Sequence, residues 1–322
     1  MNPDVALAVE ELSRNRSLTP EQTRLLGRVA RRELTSIRPE LRLLLYGGVV
    51  AVMAGVGELV RQNLDRIGPV AVAGGLWIAA AAALFWALRH APPFSWGRST
   101  STHLAFDYIL LLGVLLTGAA LAYVEVKFTP LGPAWRTHLL LMSLFAAAVA
   151  LRGDSRMVMS IALTTFAAWR GVAASPLERA FWLGEDWAAP VRLNAVVTGL
   201  LFAALGGWLV RTGRKAHFEP VATHLGWMLV LGAILSGISE GGAVETGFRL
   251  ALLAVGAGLG AVAFRQGRFP LFGMGLVAAY IGLSALVAEA VPDEILYLWF
   301  SSTGIAVLVG LLLAQRAMRT RA

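Results

Sequence analysis

The sequence predicts an all-α fold, a polytopic transmembrane helical bundle of about ten spans with a short N-terminal cytoplasmic helical hairpin. Three observations predict it. The 322 residues are 57% hydrophobic and only 15% charged, with a mean hydropathy of +0.66, where a soluble domain carries about a quarter charged residues. The apolar residues fall into ten segments, most of them near the roughly 20 residues that cross about 30 Å of hydrocarbon. The gaps between segments alternate in charge, with arginine collected in every second gap and carboxylates in the others.

Residues 1–41 form the one appreciable polar segment, a cytoplasmic amphipathic helical arm ahead of the bundle at 42–322. Asp4 to Ser13 reads as a short helix. Thr19-Pro20-Glu21-Gln22 is a second helix start. Thr19 caps, Pro20 suits the first helical position, and Gln22 closes a capping box. In the helix that follows, Leu25, Leu26, Val29 and Ala30 share one side, and Arg24, Arg28, Arg31 and Arg32 fall largely away from them. Such a basic amphipathic face suits contact with anionic headgroups, a partner protein or a second protomer. A solvated basic stalk accounts for it equally well.

The spans fall at 42–60, 68–88, 104–126, 137–151, 157–173, 191–210, 220–238, 246–264, 269–288 and 295–315. The fourth and fifth are short and flank the tight turn Arg152-Gly153-Asp154. They read either as two short spans or as a helical hairpin. Proline inside a helix costs about 3 kcal/mol, and none falls at the centre of a proposed span. The arm ahead of span one is polar, so span one is expected to act as an uncleaved anchor and not as a signal peptide. The gap around Ser175 to Ala189, with Phe181, Trp182 and Trp187, reads as a short interfacial helix.

The net charge of +8 follows from orientation and needs no nucleic-acid partner. With the N-terminus inside, 20 of the 28 Lys and Arg residues lie in inner segments and 8 in outer gaps. That bias puts both termini in the cytoplasm. Arginine in place of lysine, with abundant Ala and Gly, points to a GC-rich bacterial genome.

No cysteine is present, which excludes disulfides, thiolate metal sites and cysteine nucleophiles. The five histidines (His90, His103, His138, His217 and His224) show no metal-ligand spacing, and no phosphate loop or serine elbow occurs. No catalytic residue, metal or cofactor is therefore expected. Charges inside hydrocarbon cost a few kcal/mol and are the default functional candidates. These are Glu58, Asp107, Glu125, Arg249 and Glu289, all within one or two turns of a boundary. Glu58, Glu125, Arg249 and Glu289 lie toward the outer face. Together they form a candidate acidic vestibule for a cation, a cationic solute or protons. Local pairing, or snorkelling to the interface, explains the same residues.

Small residues recur at helical spacing, as Gly47, Ala51 and Gly55 in span one and as Gly256 and Gly260 in span eight. Such stripes let helices approach closely. A weak internal symmetry aligns Gly57 to Arg61 with Gly207 to Arg211, five spans apart, as inverted repeats do.

The opening third resembles a family of bacterial membrane proteins, domain of unknown function 2157. Four stretches carry the resemblance. They are Ser17-Leu18-Thr19-Pro20-Glu21-Gln22, Leu45-Tyr46-Gly47-Gly48, Gln62-Asn63-Leu64-Asp65-Arg66-Ile67-Gly68-Pro69, and Ala122-Tyr123-Val124-Glu125. Leu64 stands where members have Trp, and Glu125 where Gly is usual. The resemblance covers residues 17 to 128. It implies a polytopic inner-membrane protein with a small cytoplasmic N-terminal helix, and no activity. The expected role is a non-enzymatic membrane component, such as a scaffold, sensor or complex subunit. The alternatives are a small-solute or cation transporter or channel and, last, an intramembrane enzyme.

Overall fold

The computed structural model of the chain describes residues 19–30, 38–99, 105–172, 189–238 and 242–319. They are helical, with no strand among the described residues. In chain order the helices are α1 (Pro20–Ala30), α2 (Arg38–Ile67), α3 (Pro69–Arg89), α4 (Phe106–Phe128), α5 (Arg136–Gly153) and α6 (Arg156–Trp169). Then come α7 (Ala189–Thr212), α8 (Glu219–Leu235), α9 (Gly242–Arg265), α10 (Phe269–Ala290) and α11 (Asp293–Arg319). The segment 4–13 and the gap 175–189, up to Ala188, lie outside the described residues, as do Arg31 and Arg32.

The chain divides into two compact units, Met1–Asp65 and Arg66–Ala322. In the first, α1 starts on the expected capping box. The Thr19 N–H donates to Gln22 Oε1 at 2.9 Å, and the Gln22 N–H donates to Thr19 Oγ1 at 3.2 Å. Two otherwise orphaned amides are satisfied reciprocally. Arg24 is exposed, and so are Leu25 and Leu26. Arg28 falls within the same helix. In α2, no atom lies within 4 Å of where a Cβ on Gly47 or Gly55 would stand.

The second unit is built of consecutive antiparallel pairs. Helix α3 packs on α4, α5 on α6, α7 on α8 and α9 on α10, while α11 packs on α10. Small residues set these contacts. A Cβ on Gly199 of α7 would stand 2.5 Å from the Gly226 carbonyl of α8, and one on Gly226 would stand 2.5 Å from the Gly199 carbonyl. Between α9 and α10, Gly256 faces the backbone of Gly275 and Ala279, and a Cβ on Gly275 would stand 2.5 Å from the Gly260 nitrogen. The expected stripe at Gly256 and Gly260 is thus a helix–helix contact. In lipid, where apolar burial gives little drive, this close packing holds helices together. A core of Leu231, Leu252, Leu259 and Ala278 joins α8, α9 and α10.

Eight described helical stretches are long and apolar enough to cross a membrane. Two shorter apolar ones accompany them, Leu43–Glu58 within α2 and Arg156–Trp169, which is α6. At 14 residues, α6 is about 21 Å long. It still runs between the two ends of the second unit. Ser155 caps its start by accepting from the Val158 N–H at 3.4 Å. Beyond its last turn, Arg170 Nη2 donates to Asn194 Oδ1 at 3.1 Å, at the start of α7. The far end of α7 carries Lys215, which returns to Asp154 beside Ser155.

Candidate functional site

The antiparallel pairing places the loops 90–99, 154–155, 213–218 and 266–268 at one end of the second unit. There the chain builds a buried polar cluster around Asp154. Helix α5 stops at Gly153, where a Cβ would stand 2.5 Å from Leu110 Cδ2. Asp154 then turns the chain with φ 53°, a left-handed conformation that Asp tolerates better than most residues. The turn aims its carboxylate inward, where the side chain is 1% exposed.

Two loops converge on that carboxylate. Lys215 Nζ donates to Asp154 Oδ1. The Ser99 N–H donates to Oδ2 at 2.9 Å, and Ser99 Oγ donates to the same oxygen. His217 Nε2 lies 3.3 Å from Oδ1. Lys215 is itself 1% exposed and left-handed, with φ 50°. Its N–H donates to the Trp96 carbonyl at 2.6 Å, and its ammonium sits 4.7 Å from the Phe94 ring centroid. Arg152 Nη1 donates to the Pro92 carbonyl at 2.7 Å. Arg214 covers the Trp96 ring at 5.0 Å.

Burial alone would raise the Asp154 carboxyl. The hydrogen bonds from Lys215 and Ser99, with the charge of Lys215, outweigh it and hold the carboxyl below its usual range. Asp154 is therefore ionised at neutral pH with both oxygens accepting hydrogen bonds, whereas the buried His217 Nε2 makes none. The cluster fixes the α3–α4, α5–α6 and α7–α8 loops to one another. Beside it, Glu219 at the start of α8 accepts from Arg268 at the start of α10 and from Thr223 Oγ1 at 2.8 Å. That pair extends the network to the α9–α10 loop.

The candidates expected toward the outer face lie elsewhere. Arg249 of α9 donates to Glu245, one turn earlier, and to Glu289 of α10, so this group combines two of the expected residues. Glu125 closes the last turn of α4 instead, with Oε2 3.4 Å from the Leu131 N–H and 3.4 Å from His138 Nδ1 of α5. The latter contact is off hydrogen-bonding alignment. In the first unit, Glu58 Oε1 accepts from Gln62 Nε2 at 2.7 Å. Asp107 sits in the first turn of α4, where the helix dipole favours a negative charge. Among the described residues no group of three or more His, Asp or Glu side chains converges as metal ligands.

Apolar helices of this length, packed through glycine and tied at their ends by paired charges, define a multi-pass membrane protein. Residues 10–159 match the family described as "Predicted membrane protein (DUF2157)", the family that the opening third resembles. The match takes in Glu58, Ser99, Glu125 and Asp154, and stops before Lys215, Arg249 and Glu289. No curated protein and no solved structure matches the chain.

Proposed function

We propose that this chain is a non-enzymatic component of the bacterial inner membrane, a scaffold, sensor or complex subunit, that works by binding through its N-terminal arm. Ten helices, α2 to α11, cross the bilayer, and the Asp154 end faces the cytoplasm with both termini. The observation that carries the reading is α1. Its capping box makes it a well-started helix, yet Leu25 is 58% exposed and Leu26 38%. An apolar face beside Arg24 and Arg28 suits a partner chain, a second copy or anionic headgroups.

A second reading, a cation or small-solute pathway, draws support from Arg249. One guanidinium meets two carboxylates, Glu245 and Glu289, which leaves that group with net negative charge. One experiment separates the two. A photo-crosslinking residue in place of Leu25 is expected to capture a discrete protein partner or a second copy in intact membranes, with no ion or solute flux in proteoliposomes. Crosslinks to lipid alone would overturn the binding reading. Flux abolished by Glu289→Gln would establish the transport reading in its place.

A further inference from the structure

A trench of about 300 Å³ runs between α8, α9 and α10 at the Asp154 end. Leu259 and Leu271 form its buried floor and Trp227 one wall. Its lip on α9 follows Gly258, Val262 and Gln266, one residue per turn, all exposed. That lip is about 12 Å long at 1.5 Å per residue. The body of the trench is apolar and lies in helices long enough to cross a membrane. Its side therefore opens to hydrocarbon, and its polar mouth opens at the end of the bundle.

The trench ends on polar groups. Gln266 and Arg268 stand at its mouth. Arg268 gives one nitrogen to Glu219 and stays 30% exposed, and a guanidinium has four further N–H donors. Arg265 is exposed at the end of α9, so the mouth keeps a net positive charge after Glu219 has been matched. Helix α10 starts there at Phe269 with no side-chain cap, and its first amides point the positive end of the helix at the same place.

We infer that this trench binds a single anionic phospholipid, an acyl chain along Gly258 to Val262 and the headgroup phosphate at Gln266 and Arg268. An apolar channel that takes the headgroup-proximal part of an acyl chain, open to hydrocarbon and closed by a cation at interface depth, matches both halves of such a molecule. Free phosphate would satisfy the mouth and leave the channel empty. The inference needs only the membrane setting and goes beyond the role of the arm.

The test is native mass spectrometry of the full chain in detergent, titrated with equal amounts of phosphatidylglycerol and phosphatidylcholine. Wild type is expected to retain one phosphatidylglycerol several-fold in preference to phosphatidylcholine. Gly258→Phe fills the trench from a position where an added Cβ meets nothing within 4 Å. It is expected to lose the retained lipid with an unchanged melting temperature. The double variant Glu219→Gln/Arg268→Gln removes both partners of the ion pair together. It is expected to bind the two lipids equally. Equal retention by wild type, or an unchanged preference in both variants, would overturn the inference. Neither result touches the crosslinking test of the arm.

Discussion

Asp154 and Lys215 are each 1% exposed and each left-handed. Left-handed backbone at a non-glycine residue costs on the order of 1–3 kcal/mol and persists only where surroundings over-determine it. Here each residue supplies the partner that holds the other. Removing one leaves an uncompensated buried charge, at a cost of about 3–5 kcal/mol. Asp154→Asn keeps a side chain that tolerates the turn, and Lys215→Met keeps the volume. Each alone is expected to lower the unfolding free energy in detergent by about that amount. The double variant is expected to recover much of the loss, and a merely additive loss would refute the pairing. A carboxyl depressed in the folded state stabilises fully above its unfolded value, about 3.9, and loses that contribution as pH falls through the folded value. Wild type is therefore expected to weaken as the pH drops below about 4, by a component missing from Asp154→Asn.

Little of this cluster is legible in the sequence. Asp154 appears as part of a tight turn, Lys215 as one of the basic residues of an inner gap, and His217 as one of five histidines without metal-ligand spacing. Sixty-one residues separate the ion pair, and only helix pairing brings the loops together. One signal was present. Lys215 is one of two lysines among 28 Lys and Arg residues, and an ammonium is a compact point charge on a flexible stem, unlike the planar guanidinium used elsewhere in the chain. Arg249 and Glu289 were easier to anticipate, because both fall near the outer ends of adjacent spans and must find partners at that depth.

At the scale of elements, the bundle is held by glycine contacts that differ in how readable they are. Gly256 and Gly260 form a repeat within one helix, and the repeat itself signals a close-packing face. Gly199 and Gly226 stand one per helix, so neither sequence segment reveals the contact. A Cβ added at either would stand 2.5 Å from the other's carbonyl oxygen. Gly226→Leu is expected to force α7 from α8 and cost at least about 1–3 kcal/mol, the usual range for overpacking. A thermal melt in detergent reads the loss. The same substitution at Gly258, where a Cβ meets open space, is expected to leave the melt unchanged. Equal effects at the two sites would contradict the assigned packing. Helix α1 was legible to the level of its capping hydrogen bonds, because a capping box is a local device that needs no tertiary partner.

For the whole molecule, the row of apolar segments anticipates the helices within a few residues at most boundaries. The exception is α2, which begins at Arg38 and continues to Ile67, past charges that the hydropathy of 42–60 excludes. The polar ends of a membrane helix extend beyond hydrocarbon, so composition marks the span and not the helix. The short α6 was left open between a span and half of a hairpin. It starts next to Asp154, which binds Lys215 beyond the end of α7, and just past its last turn Arg170 bonds Asn194 near the start of α7. That keeps the alternation of loops on which the proposed orientation rests. The chain lacks cysteine, so single cysteines report without background. The most direct measurement is labelling of intact cells with an impermeant maleimide at two exposed positions, Pro130→Cys in the α4–α5 loop and Ala216→Cys beside Lys215. Labelling is expected at 130 from outside and at 216 only after the membrane is opened. Labelling at 216 in intact cells with 130 protected would contradict the proposed orientation.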